Sequence, residues 1–330
     1  MSHALSRRNG TCVIDLSVLI VNWNVAPLLR RCLTSIAASP GVSVHAAEGA
    51  LQIELIVVDN ASSDESLAML AHEFPWAQVI RNPVNVGFTR ANNQALTRAR
   101  GRYVLFLNPD AEVVGDALPT MVHYMEAHPD VGALGPQLRY PDGQIQPSRR
   151  RFPTLATAFL ESTLLHQWWP NNPVAHRYYL ADQPDDREQE VDWLVGACLL
   201  VRREAIEQVG SFDERYFMYS EELDWCRRAR AAGWRIVYLP TAQVIHHEGK
   251  SSEQAMAARH IHFNTSKVLY FRKYHGHFAA ELVRLFLLAT YLYQWGEEAA
   301  KWLVGHKRPL RQERMAAYAA VLRTGLRHSS

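Results

Sequence analysis

Asp110 closes the run RYVLFLNPD (102–110), with Glu112 two residues on, and His246 and His247 close a later run, AQVIHHEG (242–249). A carboxylate oxygen and an imidazole nitrogen make a ligand pair for a divalent cation, Mg2+ or Mn2+, able to neutralise the charge that grows on a departing diphosphate. A histidine satisfied within a loop or core accounts for His246 as well. Glu221, Glu222 and Asp224 crowd the start of a helical pattern. The helix dipole alone favours acids there. Crowding also raises their proton affinity, which suits a general base that takes a proton from a hydroxyl. Asp59, after IELIVV, is placed either to accept a hydrogen bond from a pyrimidine ring N–H or to turn the chain at a strand end.

Two further stretches are polar in a way that fits phosphate. NVGFTRANNQAL (85–96) sets Asn85, Gly87, Arg90 and Asn93 in a loop entering a helix, whose first amides can meet an anion. It holds a single glycine, so it is not a glycine-rich phosphate loop. Arg149, Arg150 and Arg151 form a basic cluster, either a pyrophosphate clamp or a solvated run.

These residues need a scaffold, and hydrophobic patterning supplies one. LSVLIVNW (16–23), LQIELIVVDN (51–60) and RYVLFLNPD are short runs rich in Val, Ile and Leu, as in strands buried on both faces of a parallel sheet. Helical stretches alternate with them: one from Pro27 to about Ala38, one capped by Ser63 or Asp64 and running through Glu73, and one from Thr89 to Arg100. This alternation predicts an α/β fold with a doubly wound, mostly parallel sheet. Ligands of such sheets bind outside the carboxyl ends of the strands, where Asn22-Trp23-Asn24, Asp59-Asn60 and Asn108-Pro109-Asp110 all fall. Any one of these clusters reads as a turn; three at matching ends point to a site.

Farther on, residues 40–50 read as a surface insertion and YPDGQIQ (140–146) as a hairpin about Asp142-Gly143. Residues 148–190 show no clear period. VDWLVGACLLVRR (191–203) reads as one strand, ELDWCRRARAAG (222–233) as a helix capped by Gly233, and WRIVYLP and AQVIHHEG as two short strands. From about Glu253 only helix is patterned. The expected division is a catalytic domain over 1–255 and a helical extension over 256–330.

The bulk composition narrows the class. Net charge is +2, with 48% hydrophobic and 21% charged residues, an ordinary globular balance without the field that recruits nucleic acid. Cys12, Cys32, Cys198 and Cys226 form no CxxC pair, which fits a reducing compartment. The first residues carry no apolar signal-type segment, and no run of about 20 apolar residues is present. Residues 259–330 hold twelve Lys/Arg against four Asp/Glu. Their apolar, Trp-containing stretch from Phe278 to Leu303 fits an interfacial helix at an anionic membrane or an oligomer face.

Taken in order, SVLIVNWN (17–24), IVVDNASSDES (56–66), NVGFTRANN (85–93), LFLNPDAE (105–112), WLVGACLLVRREA (193–205), GSFDERYFMYSEELDWCRRARAAGW (210–234) and VIHHEGKSS (244–252) resemble the family 2 glycosyltransferases of the GT-A fold, in particular the rhamnosyltransferase-like branch. The resemblance implies an inverting transfer of a sugar from a nucleoside-diphosphate donor to a hydroxyl of a lipid-linked or polysaccharide acceptor in cell-surface glycan synthesis. It implies rhamnose from a thymidine-diphosphate donor first, with uridine-diphosphate hexoses open. It also implies a cytoplasmic enzyme at the inner face of the plasma membrane.

The resemblance assigns Asp59 to the nucleobase and Asn108 and Asp110 to the Asp-x-Asp position. It assigns Asp110 and His246 to the metal, Glu222 to the catalytic base, and Gly196 and Ala197 to the acceptor pocket. Asn22, Asn24, Asn85, Gly87, Arg90 and Asn93 join the donor side on position, and Asp224 the acceptor side. Two departures stand out: Asn108 takes the place of the first aspartate, and Glu221-Glu222 stands where the family more often has Glu-Asp, so the base is either glutamate. Two rivals remain. A sugar-nucleotide pyrophosphorylase needs a glycine-rich loop near the first strand, which VNWNVAPLLR lacks. A non-catalytic nucleotide-sugar-binding protein needs no acid at 222.

Overall fold

The computed structural model describes residues 14–327 except 45, 46, 48, 162 and 248–255. Cys12, the GKSS end of the last motif and the predicted start of the helical tail near Glu253 lie outside the described residues.

Strands and helices alternate at first: β1 (Leu16–Asn22), α1 (Ala26–Ala37), β2 (Val42–Ser43), β3 (Leu51–Asp59), α2 (Ser66–Glu73), β4 (Gln78–Arg81), α3 (Phe88–Leu96), β5 (Tyr103–Leu107), β6 (Ala111–Val114), α4 (Ala117–Ala127) and β7 (Val131–Arg139). Then come β8 (Ile145–Gln146), β9 (Arg149–Arg150), α5 (Leu155–Leu160), α6 (Leu164–Trp168), α7 (Pro173–Tyr178), β10 (Gln189–Glu190), β11 (Trp193–Leu194), β12 (Cys198–Arg202), α8 (Arg203–Val209), α9 (Glu221–Ala231), β13 (Arg235–His246), α10 (Met256–Leu303) and α11 (Arg308–Thr324).

The main sheet runs β10-β13-β7-β12-β5-β1-β3-β2. The pairs β2–β3, β3–β1, β1–β5 and β7–β13 are parallel, whereas β12 lies antiparallel between β5 and β7. β1 sits near the centre with every residue buried, as its unbroken apolar run requires of a strand covered on both faces. Into the same core α1 turns Leu29, Cys32, Leu33 and Ile36, the i, i+3, i+4, i+7 face of a helix, all inaccessible to solvent. Truncating such a leucine to alanine costs about 2–5 kcal/mol. Gly101, just before β5, lies so close to β1 that a Cβ there would come within 2.5 Å of the Ser17 backbone nitrogen.

Several elements differ from the sequence reading. The helix read over Thr89–Arg100 ends at Leu96. Residues 191–203 are two strands in different sheets, β11 pairing with β9 and β12 with β5, joined by a turn at Val195-Gly196-Ala197. The two late runs read as separate strands are one strand, β13, over Arg235–His246, whose register with β7 shifts between Leu239 and Gln243. Pro240 falls in that bulge, where its missing N–H leaves no ladder bond unmade. The stretch 148–190 contains α5, α6 and α7.

The chain forms two compact units that interleave along the sequence. One comprises 1–151, 183–214 and 222–251, and the other 152–182, 215–221 and 252–330. Within the second, α10 breaks at Gly276 (φ +88°). After the break it buries Val283, Leu287 and Tyr291. Arg311 of α11 bridges to Glu298 at 2.8 Å. Among the described residues no helix is long and apolar enough to cross a membrane.

Candidate active site

The strand ends bring the predicted clusters to one edge of the sheet unit. β1 and β3 finish level, with Asn22 in register with Asp59. Both side chains are buried. Asn22 Nδ2 donates to Asp59 Oδ1 at 3.1 Å and to Ser62 Oγ at 3.0 Å, and the Ser62 N–H donates to Asp59 Oδ2 at 3.0 Å. Asn24 stands at φ +53°, a conformation asparagine tolerates. Its N–H donates to Ser62 Oγ, and its Oδ1 accepts the Ser63 N–H at 2.7 Å. Both Asp59 oxygens are thus engaged within the protein, and each keeps a lone pair for a ligand donor.

Beside this lattice lies the loop into α3. Gly87 holds φ +90°, a left-handed conformation that favours glycine. Asn85 Oδ1 accepts the Gly87 N–H at 3.0 Å and an Asn60 Nδ2 hydrogen at 2.9 Å. Asn60 also donates to the Gly87 carbonyl, and its Oδ1 accepts from Asn82 and from the Val86 N–H. Asn60 therefore organises the 82–87 loop, a role its sequence neighbourhood gave no means to read.

At the end of β5 the chain turns through Asn108-Pro109-Asp110 into β6, which runs back along β13 with Ala111 opposite His246. Asp110 is buried, and its carbonyl accepts the His247 N–H at 2.9 Å. His246 Nε2 lies 3.3 Å from Asp110 Oδ1 and 3.3 Å from Asn108 Nδ2. His247 pairs instead with Glu112 at 2.6 Å. Behind the turn, the Cys32 thiol points at the Asn108 carbonyl from 3.7 Å, its proton held first by burial and then by the Asp110 charge.

The 195–197 turn joins this corner to α9. The Ala197 carbonyl accepts the Asn108 N–H at 2.9 Å, and the Gly196 N–H donates to Glu222 Oε1 at 3.3 Å. Glu222 Oε2 is buried with no hydrogen-bond partner among the described residues. Burial pushes its proton affinity above the ordinary carboxylate range, against the N–H groups of Glu222, Gly196 and Leu223 and the Arg150 charge. Tyr219 and Ser220, just before α9, both hold left-handed backbone at φ +69° and +67°. Such conformations are costly for residues with side chains and cluster at functional sites.

Other predicted residues are used elsewhere. Asp224 is fully buried and takes the Arg228 guanidinium at 2.9 Å. Asn93 donates to the Phe212 carbonyl and to Glu214, tying α3 to the 212–214 loop. Arg90 and Asn93 line a pocket of about 610 Å3 with Ile80, Gln94, Ser211 and Glu214; none of Asp59, Asp110 or Glu222 lines it. Arg149 is buried, and its guanidinium donates to the Pro184 and Gln183 carbonyls and pairs with Asp185, so it fastens a loop. Glu221 is buried and falls in the 215–221 segment of the helical unit.

Asp110 and His246 suit a divalent cation. His246 Nδ1 meets an amide oxygen, that of Gln146, at 3.0 Å. The Nε2 lone pair then faces a carboxylate oxygen, two acceptors that a cation between them would reconcile. No third His, Cys, Asp or Glu joins them among the described residues, which would leave positions for diphosphate oxygens and water, as small hard cations prefer.

Known proteins resemble this chain at two levels. Two solved structures resemble the fold. One is the mannosyltransferase PcManGT from Pyrobaculum calidifontis in complex with GDP-Man and Mn2+, at TM-score 0.54 and 17% identity over 98% of this chain and 90% of that one. The other is GalNAc-T7 with UDP, GalNAc and Mn2+, at 0.57 and 14% over 95% and 56%. These likenesses show the fold alone, an α/β fold of the GT-A class. At the level of sequence, residues 17–210 match the description "Glycosyl transferase family 2", and the chain belongs to that family. It is 32% identical over 260 residues, 74% of this chain and 81% of the relative, to the N-acetylglucosaminyl-diphospho-decaprenol L-rhamnosyltransferase of Mycobacterium tuberculosis. Over 202 residues, 59% of this chain and 72% of the relative, it is 30% identical to rhamnosyltransferase WbbL of Escherichia coli.

Proposed function

We propose that the enzyme transfers rhamnose, with inversion, from a nucleoside-diphosphate donor to a hydroxyl of a lipid-linked saccharide, with Mg2+ or Mn2+ at Asp110 and His246. The observation that carries this reading is the 195–197 turn, which ties the Asn108–Asp110 turn on one side to Glu222 on the other. A base and a diphosphate anchor held by one short turn suit a single in-line displacement. Asn22, Asp59 and the 82–87 loop hold the nucleotide end. Glu222 takes the acceptor hydroxyl proton as the acceptor oxygen bonds to the anomeric carbon and the bond from that carbon to the diphosphate oxygen breaks. When bound, the cation neutralises the charge left on the diphosphate. Rhamnose rests on the names of the two bacterial relatives, and a lipid-diphosphate acceptor on that of the mycobacterial one.

The outer face of α10 supports a membrane surface as partner. After Gly276, Phe278, Leu282, Leu285, Leu292 and Leu303 fall on one side of the helix and are exposed, Phe278 by 84% and Leu303 by 70%. A helix apolar on both its buried and its exposed faces fits a lipid interface. The surplus of Lys and Arg over residues 259–330 as a whole favours anionic headgroups over a second, equally basic copy of the chain.

The test is a panel of nucleotide-sugars with and without Mn2+, scored for nucleoside-diphosphate release on a prenyl-diphosphate N-acetylglucosamine acceptor. Turnover with thymidine-diphosphate rhamnose and cation dependence are expected. Donor binding without transfer to any acceptor would favour the non-catalytic alternative. For the membrane, Leu285→Asp with Leu292→Asp should abolish sedimentation with vesicles rich in phosphatidylglycerol. Unchanged sedimentation, or a shift from dimer to monomer without vesicles, would overturn the lipid assignment.

A further inference from the structure

Gln146 has no part in the chemistry described above, yet it is buried and its Oε1 sits 3.0 Å from His246 Nδ1. The local fold delivers it there. Asp142 Oδ1 accepts the Gln144 N–H, Gly143 takes φ +86°, and the hairpin closes so that Gln146 pairs with Leu138 across β8 and β7. On the other side of β7, Leu138 pairs with Val244 of β13, two residues before His246. The predicted hairpin thus carries an amide to the far side of the metal-ligand histidine.

We propose that Gln146 is a positioning residue that selects the His246 tautomer. An amide oxygen can only accept, so Nδ1 carries the proton and donates it. On the opposite nitrogen, Asn108 Nδ2, which can only donate, lies 3.3 Å from Nε2. Two amides, reached from β8 and from the β5 turn, favour the tautomer protonated at Nδ1 and bare at Nε2, against Asp110 Oδ1, which lies equally far from Nε2 and favours the other. Bare Nε2 faces Asp110 Oδ1. Without the Gln146 oxygen, the proton gains by moving to Nε2, where Asp110 accepts it, and the nitrogen lone pair is lost to a cation. The proposal rests on His246 as a metal ligand, and its first readout does not involve metal.

Long-range 1H–15N spectra of the metal-free protein, with the His246 ring assigned by its loss in His246→Ala, should show the Nδ1–H form. Gln146→Leu should move His246 toward the Nε2–H form and weaken binding of Mn2+ alone, followed by electron paramagnetic resonance, by about 10–100-fold. Gln146→Glu keeps an acceptor at the same reach and should preserve both the tautomer and the affinity, which also covers the case in which the leucine variant fails to fold. A Gln146→Leu protein that keeps the Nδ1–H form, or a Gln146→Glu protein that loses it, overturns the proposal. If His246→Ala binds Mn2+ as tightly as the parent, the metal role of His246 fails, while the tautomer readout still decides the role of Gln146.

Discussion

At the ends of β1 and β3, Asn22, Asn24, Asp59 and Ser62 hold one another, each by at least two hydrogen bonds within the protein, and Asn22 Oδ1 alone of their oxygens is buried with no hydrogen-bond partner among the described residues. At the ends of β5 and β13 and the start of α9 the same kinds of side chain are left with capacity. Glu222 Oε2 is buried and unbonded among the described residues, and His246 Nε2 confronts a carboxylate oxygen. Buried polar groups are normally satisfied because leaving one unpaired costs about 1–3 kcal/mol. On the proposed reading, the β1–β3 end is a mutually bonded seat for the nucleotide with one open acceptor at Asn22, and the β5–β13–α9 end carries the base and the cation pair. Substitutions at the two ends should therefore fail in different ways.

The largest effect is expected at Glu222. Glu222→Gln keeps the shape and the Gly196 contact but removes the proton acceptor, and the catalysed rate should fall by about 10²–10⁴-fold with donor affinity intact. Burial raises the Glu222 proton affinity, so the parent rate should be lost on acidification at a pH above the ordinary carboxylate range, because the group must be ionised to act as a base. Stability carries the opposite sign. A carboxyl with a raised folded-state pKa contributes stability that is present at low pH and lost as pH rises through that value. The glutamine variant should therefore melt higher than the parent at pH 7.5 and show no advantage at acid pH. If Glu221→Gln abolishes transfer while Glu222→Gln turns over normally, the base is Glu221.

Asp110→Ala should follow, with a loss of about 10²–10³-fold, the scale on which removing one preorganised electrostatic partner acts. Mn2+ response should be lost with it. Turnover that remains near normal and still depends on Mn2+ would take Asp110 out of the metal role and erase the contrast between the two ends.

Which parts of this could be read from the chain follows from how each signal is encoded. β1, β3 and β5 were legible because a strand covered on both faces needs an unbroken apolar run, and the polar clusters at their ends were legible by position. β12 gave no sign of running antiparallel, since an apolar strand reads alike in either direction. β13 looked like two strands because Pro240 reads as a break, and only the bulge reconciles it with one. Candidate side chains were legible where type restricts chemistry, as at Asp110, Glu222 and His246, which the fold brings to the same corner of the sheet as Asn108 and the 195–197 turn. Roles were not legible at Asn93, Asp224 and Arg149, whose partners Phe212, Arg228 and Asp185 capture them into clamps. Asn60 and Gln146 were invisible for a related reason: an amide takes its meaning from groups that folding brings to it.

The smallest effect tests the nucleotide end. Ser62 Oγ accepts from the Asn24 N–H and from Asn22 Nδ2, both at 3.0 Å. Ser62→Ala removes one acceptor from two donors. Asn22 keeps Asp59, so the cost should be that of two hydrogen bonds, about 1–3 kcal/mol, read as a drop in Tm. If this end only seats the donor, the loss weakens ground state and transition state alike, and the donor KM should rise with kcat unchanged. A kcat that falls in step with kcat/KM would mean that the Asn22–Asp59–Ser62 lattice tightens during transfer. The seat would then belong to the chemistry and not only to binding.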